Sequence, residues 1–76
     1  MGRRKEPDES SQHARAVLLL RLVDQERLGF YDAELWLRAW EAKAEAIGRR
    51  RASEGYWDEG WRWISGELAA KRRQEN

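Results

Sequence analysis

The chain has no cysteine, one proline, one histidine and no long apolar run, and each shortage removes a class of answer. Without thiols there is no thiolate nucleophile, no disulfide, no Cys-ligated zinc and no iron–sulfur centre, and such usage suits a reducing compartment such as the cytoplasm. The lone imidazole, His13, has no Ser, Asp or second His at a relay spacing. It therefore reads as a surface or capping residue of a first helix, and neither an enzyme nor a metal or cofactor site is expected. The longest apolar stretch, Ala16 to Leu20, is far too short to span a bilayer. The basic start Gly2-Arg3-Arg4-Lys5 runs into Glu6-Pro7-Asp8-Glu9 instead of an apolar segment, so it does not read as a secretory signal. The glycines are isolated, which leaves no Gly-rich phosphate loop.

What is present suits a helical bundle. The 76 residues are 41% apolar and 38% charged, with five tryptophans and almost no β-branched side chains. One core of this size hides only about 60% of the surface its unfolded chain exposes, so stability of a few kcal/mol is expected unless a partner adds more. Residues 1–10 alternate basic and acidic blocks around Pro7 and predict a flexible charged tail; residues 11–76 predict one up-down-up three-helix domain. Its helices are expected over about 11–28, 32–51 and 58–73, the first capped by Ser10 or Ser11.

An internal echo sets those boundaries: Gly29-Phe30-Tyr31-Asp32 against Gly55-Tyr56-Trp57-Asp58. Each copy reads as a joint in which Gly stops one helix in a left-handed conformation, two aromatics cover the turn, and Asp caps the next helix. In helix two, Trp36, Trp40, Ala44 and Ile47, widened by Leu37, predict the core stripe, with Glu34, Arg38, Glu41 and Glu45 on the wet face. In helix three the stripe is Trp57, Trp61, Ile64 and Leu68. Gly60 and Gly66 soften helix three, and Gly48 weakens the end of helix two. Helix one does not reduce to a stripe. Val17, Leu20 and Val23 lie on one side, Ala14, Leu18 and Leu22 on another, and Leu19 between them, so helix one is either unusually buried or meets another chain.

Opposite charges at Glu34 and Arg38, Glu45 and Arg49, and Glu67 and Lys71 are spaced as (i, i+4) surface pairs and do not suggest paired catalytic acids. The basic clusters Arg49-Arg50-Arg51 and Lys71-Arg72-Arg73 are candidate nucleic-acid contacts. Acids at helix starts and bases at helix ends also complement helix dipoles, and in an up-down-up bundle the two clusters fall at opposite poles. The start of helix three, Trp57-Asp58-Glu59-Gly60-Trp61, would turn two acids toward phosphates, which disfavours a groove-reading helix.

Trp63 lies roughly 100° around helix three from the Ile64 and Leu68 stripe, and tryptophan and arginine are enriched at binding hot spots. Trp63, Arg62, Leu35 and Leu19 are thus the candidate partner-binding residues. The function expected is a small interaction module, an adaptor, regulator or inhibitor of a larger protein, pairing with itself through helix one. A nucleic-acid-binding regulator is the alternative.

Overall fold

A computed structural model describes the backbone of residues 7–75 and the side chains of residues 11–75. Three helices, α1 (Pro7–Gln25), α2 (Phe30–Ala46) and α3 (Tyr56–Glu75), form an all-α bundle. The topology is up-down-up. Ser11 near the start of α1 meets Arg51 of the α2–α3 connection and Trp57 at the start of α3, while Glu26 just past the end of α1 meets Arg72 near the end of α3. Among the described residues, no helix is long and apolar enough to cross a membrane, and no cluster of three metal-ligating side chains occurs.

The expected boundaries need correction, for reasons of local chemistry. α1 begins four residues before Ser11. Proline suits a first helical position because its missing N–H would be unpaired there anyway. Residues 1–6, the rest of the expected tail, lie outside the described residues. α1 ends early as well. Arg27, with φ 60°, takes the left-handed conformation expected of Gly29, and the Leu28 N–H donates to the Leu22 carbonyl at 3.4 Å. Gly29 is extended, at φ −70° and ψ 163°.

Gly55 does take the expected left-handed conformation, at φ 83°, and both Gly29 and Gly55 also begin the helices that follow them. The Gly29 carbonyl accepts from the Ala33 N–H at 2.9 Å, and the Gly55 carbonyl accepts from the Glu59 N–H at 2.8 Å. The echoed motif is therefore a repeated helix start whose glycine carbonyl takes the first helical bond. Asp32 and Asp58 sit in the first turns as dipole partners, and α2 has no side-chain cap. The two joints differ in burial: Tyr56 is buried and Trp57 half-buried, whereas Phe30 and Tyr31 stand in solvent. Gly48 (φ 79°) does end a helix. Its N–H donates to the Glu45 carbonyl and the Arg49 N–H to the Ala44 carbonyl, a Schellman closure that stops α2 at Ala46. Ile47 is therefore past the helix and exposed, not part of the core stripe.

The core joins Leu18 and Leu22 of α1, Ala33, Leu37, Trp40 and Ala44 of α2, and Tyr56, Ile64 and Leu68 of α3. Each fully buried Leu or Ile there contributes about 1.5–3 kcal/mol. Trp40 stands at the centre, its ring 5.3 Å from that of Tyr56 and 6.1 Å from that of Trp63. Gly60 lies beneath it. A Cβ there would come within 2.7 Å of the Trp40 ring, so glycine is what lets α2 and α3 approach. Tyr56 and Gly60 continue the Ile64 and Leu68 row at four-residue spacing, while Trp57 and Trp61 are half-buried on its flank.

Candidate interaction surfaces

Arg15 organises the face between α1 and α2. Its guanidinium donates to both oxygens of Glu34, at 3.0 and 2.7 Å, and to Glu41 at 3.0 and 3.3 Å. Arg38 also pairs with Glu34, and Arg51 lies 3.9 Å from Glu41. The result is a row of alternating charge, Arg38–Glu34–Arg15–Glu41–Arg51, in which each carboxylate lies between two cations. Glu34 and Glu41 thus belong to a helix seam and not to an ordinary wet face. The row is legible only once the helices are docked, because α1 supplies the arginine and α2 the acids.

Hydrogen bonds from Arg15 hold the Glu34 carboxyl below its ordinary value of about 4.5, and the two carboxylates push the Arg15 guanidinium up. Burial pushes the Tyr56 phenol up from its ordinary 10. A lowered folded-state carboxylate stabilises the fold fully above its unfolded value and loses that contribution as pH falls through the folded one. Thermal stability is therefore expected to decline below about pH 4.5. Glu34→Gln should cost about 1 kcal/mol at pH 7 and flatten this acid decline. Melting curves of both proteins at pH 7 and pH 3 check the prediction; parallel declines would contradict it.

Three arginines of the basic clusters make surface contacts within the fold. Arg49 pairs with Glu59 at 3.0 Å, Arg51 donates to Ser11 Oγ at 2.9 Å, and Arg72 pairs with Glu26 at 3.1 Å. All six cluster residues are exposed, and the two clusters lie at opposite poles. Ser10 and Ser11 are not helix caps, since both positions lie inside α1; the Ser11 oxygen also accepts from Trp57 Nε1 at 3.4 Å and ties the start of α1 to the start of α3. The expected (i, i+4) pair of Glu45 with Arg49 is replaced by the longer-range bond of Arg49 to Glu59.

Trp63 does not stand off the core. Its ring meets Trp36 edge-on at 6.1 Å and Trp40 at 6.1 Å, and the Lys43 ammonium lies 6.0 Å over it. The same α2–α3 contact that needs Gly60 also turns Trp63 inward, and it remains half-buried. Arg62, next to it in sequence, is exposed. Leu19 packs against the core, while Leu35 is 45% exposed. The four residues singled out from the sequence therefore do not share one surface class. On the α1–α3 side, Trp61 carries the Arg21 guanidinium stacked 4.0 Å from its ring centroid.

Among the described residues, two apolar surfaces bear on a partner. One is a groove of about 510 Å³ between the first half of α2 and the end of α3, floored by Leu28, Leu35, Trp36 and Leu68 and edged by Asp32 and Lys71. The other lies on the outward side of α1, where Val17 is 50% and Leu20 55% exposed. Neither Val17 nor Leu20 stood out among the candidate site residues, although both belonged to the surplus apolar surface that made helix one anomalous. Arg15, which shares a row with Leu18 and Leu22, pairs with the acids of α2 and so favours the side of α1 that turns in. Comparison with known proteins brings no match: no protein family, no curated protein and no solved structure is significantly similar to the chain.

Proposed function

We propose that this chain is a cytoplasmic protein–protein interaction module, an adaptor, regulator or inhibitor of a larger protein, which pairs with itself through α1. The observation carrying this reading is the outward face of α1, where two aliphatic side chains lie half or more in solvent although α1 already supplies Leu18 and Leu22 to the core. A domain this small has little stability to spare, and a second copy covering Val17 and Leu20 would add some by mass action. The groove beside Leu35 and Trp36 supplies a second apolar surface for a different protein, separate from α1. Engagement of Arg49, Arg51 and Arg72 by carboxylates weighs against a nucleic-acid regulator, since phosphates would have to compete for those guanidiniums.

Sedimentation equilibrium tests the pairing. The wild-type chain should give a mass above 9.0 kDa that rises with concentration, and Leu20→Glu should return it to 9.0 kDa without loss of helicity. A wild-type chain that stays at 9.0 kDa throughout would overturn the reading. Titration with a labelled oligonucleotide addresses the alternative, for which a steep dependence on salt is the signature.

A further inference from the structure

Resting on that reading, we infer that the second copy docks on α1 antiparallel, about a twofold axis passing between Val17 and Leu20, with His13 of each chain against Asp24 of the other. The outward face of α1 is charge-patterned about its own midpoint. His13, Ala16, Val17, Leu20 and Asp24 are all exposed, and at about 100° per residue they fall within an arc of roughly 100°. His13 lies four residues before Val17 and Asp24 four residues after Leu20.

In a twofold interface, residue i meets j while j meets i. Antiparallel pairing about this midpoint sets Val17 on Leu20 twice and His13 against Asp24 twice. In either protonation state the imidazole donates an N–H to the carboxylate. Parallel pairing in register would instead oppose Asp24 to Asp24 and His13 to His13, which stacks like groups and leaves the carboxylates unpaired. Antiparallel helices also align their dipoles favourably. Ala16, on the edge of the same arc, has too little side chain to hold the helices apart. The aliphatic centre supplies the contact and the flanking pair sets its direction.

Charge reversal separates this register from self-association in general. With association followed by sedimentation equilibrium, His13→Glu should weaken pairing at least about tenfold, because two carboxylates then meet at each end of the contact. The double variant His13→Glu/Asp24→Lys should restore wild-type pairing to within about threefold, since opposite charges again meet across the axis. Both positions are exposed, and circular dichroism confirms that each variant remains helical. Wild-type association that His13→Glu leaves unchanged, or that the double variant fails to restore, overturns the register while leaving self-association standing. A wild-type chain that never associates overturns both.

Discussion

Gly60→Ala should leave much of the protein unfolded, whereas Gly66→Ala, six residues further along the same helix, should stabilise it. The Cβ added at position 60 would lie 2.7 Å from Trp40 Cδ1 and Nε1, ring atoms of a side chain that is 1% exposed and held between Tyr56 and Trp63. The ring has no free space to swing into, so α2 and α3 must part. Overpacking of this kind costs about 3 kcal/mol, comparable with the few kcal/mol such a domain has in total. At position 66 nothing lies within 4 Å of the added Cβ, and the backbone is already helical. There the substitution removes unfolded-state freedom and should add about 1 kcal/mol. Thermal melts followed by circular dichroism give both signs in one experiment. Equal effects at the two positions would mean that Gly60 is not what permits the close approach.

Trp40→Ala should be still more damaging, by about 3–5 kcal/mol, because it empties the centre of the core and removes the ring against which Tyr56 and Trp63 pack. The tryptophan also carries a cost of its own, since Nε1 is buried with no hydrogen-bond partner. Trp40→Phe keeps most of the ring and deletes that unpaired N–H, so it should cost only about 1–2 kcal/mol. Urea denaturation of the three proteins checks the order. Because residues 40 and 60 touch, Trp40→Ala/Gly60→Ala should lose less than the two single variants together, the new methyl entering space the ring has left. Strict additivity would contradict the contact.

Helix number and topology were legible because each rests on local chemistry, apolar spacing near 3.6 and acids at helix starts; bases at helix ends hold for α3, whereas α1 has none in its last turn and Arg49 to Arg51 lie past the end of α2. The boundaries were less so. Two glycines in matching contexts read as left-handed stops, yet both carbonyls accept the first bond of the following helix, and only Gly55 (φ 83°) is left-handed; at the first joint Arg27 takes that turn instead. The candidate surface was harder still. A helical wheel separates the sides of α1 but cannot rank them, since Leu18 and Leu22 on one side and Val17 and Leu20 on the other are equally apolar. Arg15 favours the first of these through Glu34 and Glu41, which become its neighbours only in the folded chain. The same holds for Trp63, whose position looked peripheral on its own helix and is made internal by Trp36 and Trp40 of the next.

The most direct test of the account is a dilution series of amide proton–nitrogen NMR spectra on the isotope-labelled wild-type chain. Pairing through the outward face of α1 predicts concentration-dependent shifts or broadening concentrated between His13 and Asp24, with the amides around Leu35, Trp36 and Lys71 unmoved. Spectra that do not change with dilution, or changes centred on the α2–α3 groove or on the arginine clusters, would contradict it.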